Sequence, residues 1–287
     1  MWQYDFGLFF AAGQAVLKGA SPYTIFDFNP PYLLALLFAT VAWLPQMWVY
    51  GAYVIVCVGL VWKVRTWNSI WVLLSFPGFF NLFVGQVDLP LTLAAILAGP
   101  YALPLLLVKP QLAFVLAPWI LRHINRKQFK IVVLVSLAFV SLSFIIRPTW
   151  LQEWLHILPS VNQYARHDSN LYWFAPSNIK SIIVIIGCLI GLPLGFWLKE
   201  RRTSWNVVHL LAPLTNIYSA SVLLEWIGPI EFILSWLAII VVGDIHSGAP
   251  LFVMAASILI RFYIQDRRKA ALTKETVELV NTPAQSA

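Results

Sequence analysis

Cysteine is nearly missing from this chain, and charge is scarce. The two cysteines, Cys57 and Cys188, both lie inside apolar stretches with no C-x-x-C spacing, which excludes a disulfide framework, a zinc ribbon and a dithiol redox centre. Asp, Glu, Lys and Arg make up 11% of the residues, against roughly 25% in soluble domains, so an ordinary soluble domain is excluded too. There is no Gly-rich phosphate loop, no G-x-S-x-G elbow and no H-E-x-x-H or H-x-x-x-H pair. These absences remove nucleotide-driven chemistry, serine hydrolysis and a helical metal site, and no metal or cofactor is expected. The Met-Trp-Gln-Tyr start lacks a charged region followed by a continuous apolar run, so no cleavable signal peptide is expected.

What is present is apolar. Of the 287 residues 60% are hydrophobic and the mean hydropathy is +0.77. This composition predicts an all-α polytopic membrane protein. The apolar stretches fall near 30–44, 47–64, 68–83, 88–108, 111–121, 131–146, 179–198, 204–226, 229–243 and 248–264. Several are shorter than the roughly 20 residues of a straight span, which predicts a bundle of about eight to ten membrane segments, some broken or re-entrant. Pro213 is expected to break a hairpin within 204–226, and Lys109-Pro110 one within 101–121.

The net charge of +7 does not form a patch beside stacking aromatics, so no nucleic-acid partner is expected. The basic residues sit in short loops: Arg122, Arg126, Lys127 and Lys130; Lys199, Arg201 and Arg202; Arg267, Arg268 and Lys269. Cytoplasmic loops are biased in this way. That bias places 147–178 outside as the longest polar loop, and leaves the sidedness of 30–84 open because Lys63 and Arg65 are a weak signal. Residues 1–29 are expected to form an interfacial amphipathic helix and an external connector, 30–264 the membrane domain, and 265–287 a disordered cytoplasmic tail.

Against this apolar background a few polar residues stand out. Asp5, on a helix ahead of F-N-P-P-Y-L-L, is either a solvated residue or a carboxylate placed to take a proton from a hydroxyl arriving from water. Lys109, in L-L-L-V-K-P-Q-L, has apolar sequence on both sides. A charge at mid-membrane costs on the order of 2.5–3.5 kcal/mol, so Lys109 either snorkels or pairs with an internal carboxylate, or it holds a lipid-linked phosphate. Gln86 and Asp88 stand at a Gly- and Pro-bounded break, where Asp88 can serve as a helix cap, a substrate contact or both. Arg147 and Arg166 belong to the external loop, with His156, His167 and Asp168; each is either a solvated loop residue or a phosphate or sugar contact.

The ordered motifs D-F-x-x-F-F-A-A-x-x-x-x-L-K-G-A-S-P-Y, F-x-F-N-P-P-Y-L-L, V-G-Q-V-D-L-P-L-T-L, V-K-P-Q-L-A-F and L-L-A-P-L-T-N-I-Y-S together resemble glycosyltransferase family 87, membrane mannosyltransferase-like enzymes of the GT-C superfamily. The resemblance runs from about residue 3 to about residue 226. It implies a GT-C-like bundle in the plasma (inner) membrane, a polyprenyl-phosphate-sugar donor, a lipid or glycan acceptor, and inverting transfer of a hexose, mannose first, on the extracytoplasmic side. Asp5 falls on the family's general base, and Lys109 on its K-P motif. Lys109 with Arg147 or Arg166 would steady the leaving phosphate, while Gln86, Asp88, Tyr23, Asn29, Asn216 and Tyr218 would line the substrate cavity. There are departures: many members carry Asn where this chain has Asp88, and members often carry an aromatic and a histidine where it has Asn216 and Tyr218. Members also have a transmembrane helix before the acidic residue, which is expected here to precede Met1 or to have been lost. The competing expectations are a flippase or transporter of a lipid-linked or small polar substrate, for which broken helices and a buried lysine serve equally well, and an inactive truncated relative.

Overall fold

The computed structural model describes residues 3–164, 180–212, 217–243 and 249–281. Among these the chain forms fourteen α-helices and no strand. They are α1 (Tyr4–Leu17), α2 (Tyr32–Ala39), α3 (Gln46–Arg65), α4 (Ser69–Leu74), α5 (Phe76–Val84), α6 (Asp88–Ala98) and α7 (Leu103–Leu106), then α8 (Pro110–Arg122), α9 (Arg126–Ile146), α10 (Trp150–Tyr164), α11 (Lys180–Trp197), α12 (Arg201–Leu211), α13 (Pro229–Val242) and α14 (Ala249–Asn281). Four stretches are long and apolar enough to cross a membrane: Gln46–Leu74, Asp88–Leu106, Arg126–Ile146 and Ala249–Thr273. Ile185–Trp197 and Pro229–Val242 are apolar but shorter.

The outer surfaces agree with these lengths. Along α9 only Val132 and Ser143 are buried, while Leu134 and Ile145 are 70% and 77% exposed. A helix that shows water so much aliphatic surface is a poor soluble element, and the same surface is at ease in hydrocarbon. The chain is an all-α polytopic membrane protein.

Broken helices at membrane depth need other groups to satisfy their backbone. Between α4 and α5 the break comes at Ser75, two residues before Pro77, so 68–83 is two short helices rather than one segment. Neighbouring α13 supplies the lost partners: Phe76 N–H donates to Ser235 Oγ (3.0 Å) and Trp236 Nε1 donates to the Leu74 carbonyl (2.8 Å). A second break falls at Lys109-Pro110, where the sequence places it, between α7 and α8. Near Pro213 helix α12 ends at Leu211, and a 3-10 stretch, Ile217–Leu223, follows.

Three expectations need correction. Helix α1 does not lay its apolar face on the membrane surface. Phe6, Phe9, Phe10, Ala12, Gly13 and Ala15 are buried against the protein, chiefly α2, because that face fits a groove lined by Phe38, Tyr50 and Tyr53. A Cβ at Gly13 would lie 2.7 Å from the Phe38 backbone, so only glycine allows α1 and α2 this close. The tail from residue 265 is not disordered up to Asn281: α14 runs on through R-R-K-A-A-L-T-K-E, a run of good helix formers with a nucleus already folded in front of it. Part of the external loop is also helical, as α10, whose start is tied to the connector before α2.

Candidate functional site

The site assembles around the junction of α5 and α6. Helix α5 ends at Gly85, whose φ of +76° suits only a residue without a side chain, and the Gly85 and Gln86 N–H groups both return to the Asn81 carbonyl at 2.9 Å. A Cβ on Gly85 would stand 2.3 Å from Phe6 Cβ, so glycine here is what lets α1 come alongside. The last carbonyls of α5 find outside donors: Tyr50 Oη donates to Leu82 O (2.7 Å) and Gln3 N–H to Phe83 O (2.9 Å). Asn81 Oδ1 accepts from Leu89 N–H in the first turn of α6 (3.3 Å). The break is therefore rigid, with α1 held directly over it.

Four separated segments meet there. Gln86 Nε2 donates to Asp5 Oδ2 (2.9 Å), and Lys109 Nζ donates to Gln86 Oε1 (3.0 Å). Lys109 also forms an ion pair with Asp88, whose other oxygen accepts from Ser219 Oγ (2.8 Å). Asp88 has no exposed surface and Lys109 is 17% exposed. Asp88 is the first residue of α6 with Val87 as N-cap, and its carboxylate turns to Lys109 and Ser219 rather than to the helix end. Of the alternatives for Lys109, the internal carboxylate pair is the one the structure holds. Asp5 is half-buried and hydrogen-bonded rather than freely solvated.

Asp5 lies on α1, outside the membrane-spanning stretches. Burial pushes its carboxyl up to about 6, opposed by the Gln86 hydrogen bond and the Lys109 charge and assisted by Asp88 and Asp27. At pH 7 it is a carboxylate with a raised proton affinity, the property a general base needs.

The remaining expected residues gather elsewhere or lie outside the described chain. Arg147 is held by Glu153, with Nε 2.9 Å from each carboxylate oxygen, and Glu153 also accepts from Ser21 Oγ (2.5 Å) and Thr149 Oγ1 (2.6 Å). Burial is the largest single influence and raises the Glu153 carboxyl, but the hydrogen bonds from Arg147, Ser21 and Thr149 and the Arg147 charge together outweigh it and hold the group at about 2. Tyr23 is half-buried beside Phe28 and near Glu153, and burial pushes its hydroxyl above the usual range. Asn29 is exposed, and its carbonyl accepts from Trp154 Nε1 (2.9 Å). Arg147 and Asn29 thus help fasten α10 to the connector, and Tyr23 packs within the connector, so none of the three joins the Asp5–Lys109 group. Arg166 and Asn216 lie outside the described residues, and Tyr218 sits in the 3-10 stretch Ile217–Leu223. Among the described residues no three His, Cys, Asp or Glu side chains are grouped to hold a metal ion.

Sequence reasoning passed over Ser219, Tyr53 and Asn81. Tyr53 Oη donates to the Gln86 carbonyl at 2.6 Å. The signal for Asn81 was its isolation within F-F-N-L-F-V, and Ser219 closes the quoted run T-N-I-Y-S.

Two helices measure where the site lies along the bundle axis. On α3, Tyr53 stands about 8 Å beyond exposed Trp48 and about 18 Å before Arg65, at 1.5 Å per residue. On α8, Lys109 stands about 20 Å before Arg122 by the same measure. Arg65 and Arg122 share one end: Arg65 binds the carbonyls of Glu225 and Ile227, Arg201 pairs with Glu225 (2.5 Å) and lies over Trp119, and Arg122 binds the carbonyls of Phe196 and Trp197. The site therefore lies about 18–20 Å from an arginine-rich end, close to the opposite one. Compared with models of known protein families, with curated proteins and with solved structures, the chain matches none.

Proposed function

We propose that the chain is a membrane glycosyltransferase that moves a hexose from a polyprenyl-phosphate donor to a hydroxyl acceptor, with Asp5 as general base. The observation that carries this reading is the convergence of Asp5, Gln86, Asp88 and Lys109, drawn from three separate segments of sequence, into one hydrogen-bonded group. Asp5 takes the proton from the acceptor hydroxyl as its oxygen attacks the anomeric carbon. The bond from that carbon to the phosphate oxygen breaks, the lipid phosphate leaves with the electron pair, and inversion follows from attack on the opposite face. Lys109 faces the charge that develops on the leaving phosphate, in a setting where a fixed cation is far less screened than in water. Arg147 no longer belongs in this role, since Glu153 holds it.

The arginine-rich end carries the basic loops, which supports a cytoplasmic position for it and an extracytoplasmic position for the site. A site about 8 Å inside the Trp48 level suits a lipid-anchored phosphate, with the isoprenoid in the bilayer and the sugar at the headgroups. The test is to incubate the purified chain in nanodiscs with a panel of polyprenyl-phosphate hexoses and acceptor lipids. Donor consumption with transfer to a hydroxyl supports the reading. Transbilayer movement of the donor without any cleavage would replace it with lipid transport.

A further inference from the structure

We propose that Gln86 is the positioning residue of this site, its amide aimed by Lys109 so that its N–H holds Asp5 in a single orientation. The inference deepens the glycosyltransferase reading, since it takes Asp5 as the base. An amide side chain is ambiguous by itself, because oxygen and nitrogen fit the same space. Here the ambiguity is removed by chemistry. Lys109 Nζ, 3.0 Å from Gln86 Oε1, only donates, and Val87 N–H donates to the same oxygen at 3.3 Å. The oxygen must therefore face Lys109, and the amide nitrogen must face Asp5 Oδ2 at 2.9 Å.

The backbone of Gln86 is pinned on both sides, by N–H donation to Asn81 O (2.9 Å) and by the Tyr53 hydroxyl on its carbonyl (2.6 Å). Asp88, itself anchored by Ser219, holds the ammonium in place. Each link has one polarity: Ser219 donates to Asp88, Lys109 donates to Asp88 and to Gln86, and Gln86 donates to Asp5. Among the described residues no protein hydrogen bond reaches Asp5 Oδ1, so this is the oxygen presented to an acceptor hydroxyl. The charged groups that face Asp5 are Lys109 from the start of α8, Asp88 from α6 and Asp27 from the connector; Tyr4, on its own helix, binds Asp27 at 2.8 Å.

The Asp5 carboxyl can be titrated by infrared difference spectroscopy on the full chain in nanodiscs, assigned by the band that Asp5→Asn removes. No substrate is needed, so failure of this inference is distinguishable from absence of glycosyl transfer. Gln86→Leu removes the donor and Gln86→Glu keeps the shape while replacing the donor with a second carboxylate. Both should move the Asp5 midpoint upward from about 6, the Glu variant by about one unit or more. The decisive measurement is Lys109→Met in the native and Gln86→Leu backgrounds. If Lys109 acts through the amide, its effect on the Asp5 midpoint shrinks by more than half when Gln86 is gone. An equal shift in both backgrounds, or an Asp5 midpoint unmoved by Gln86→Leu and Gln86→Glu, overturns the proposal.

Discussion

Two of the ionic clusters among the described residues, one near each end of the bundle, are built from different residues for different tasks. At the arginine-rich end Arg65, Arg201 and Arg261 close around the turn that precedes α13. Arg65 donates to two carbonyls of that turn, Arg261 to the Trp226 carbonyl (2.5 Å), and Glu231 accepts from Gly228 N–H (2.9 Å) and from Ser257 Oγ (2.9 Å). Guanidinium forks reach several acceptors at once, and most of their donors end on backbone oxygens, which suits a clasp that does nothing but hold. At the other end one lysine pairs with Asp88 directly and reaches Asp5 through one amide, and the Asp5 carboxyl has its proton affinity displaced. The first arrangement is spent on holding backbone, although the buried Arg65 Nε and Arg261 Nε find no hydrogen-bond partner among the described residues. The second keeps an oxygen in reserve, and the difference separates a structural tie from a chemical site.

Substitutions should split along this line. Asp5→Asn is expected to lower sugar transfer by about 10²–10⁴-fold with the thermal unfolding midpoint in nanodiscs unchanged, and near-native turnover would end the assignment of Asp5 as base. Arg65→Leu should do the reverse. It orphans two carbonyls, at about 1–3 kcal/mol each, so the unfolding midpoint should fall by several degrees while turnover per folded molecule stays native. Gly85→Ala lies between the two: it forces strain at positive φ and pushes Phe6 away, at roughly 1–3 kcal/mol, so both stability and transfer should drop.

The smallest effect concerns the α10 tie. The Glu153 carboxyl is held below its ordinary value, so its contribution is present above about 4.5 and is lost as pH falls toward 2. Glu153→Gln should remove that acid-range slope and change transfer at pH 7 by less than about twofold, since this half-buried pair stands apart from the Asp5–Lys109 group. Transfer by the native chain should itself rise with pH through about 6, as Asp5 loses its proton. A flat profile between pH 5 and 7.5 would detach the rate from Asp5.

Legibility followed chemistry more than geometry. The membrane class followed from composition, and the Lys109-Pro110 break from one proline, because both are consequences of what lipid tolerates. Asp5, Gln86, Asp88 and Lys109 were legible because each is conspicuous in apolar surroundings. Which of them touch was not, since a partner more than 80 residues away leaves no trace in local pattern. Arg147 misled for the complementary reason: an arginine in an external loop reads as free until a glutamate six residues on is seen to hold it. The Ser75 break had a signal in S-F-P-G, but its replacement partners, Ser235 and Trp236, were not legible because they come from a helix about 160 residues away.

Helix α14 has a practical consequence. Its 33 residues amount to about 50 Å of continuous helix, against a hydrocarbon layer of about 30 Å, so a length comparable to three or four turns stands clear of the bilayer. A rod that shares its axis with a membrane segment is a ready mast: a rigid helical fusion continued in phase from Asn281 would give this small, lipid-wrapped chain a visible, oriented marker for single-particle imaging.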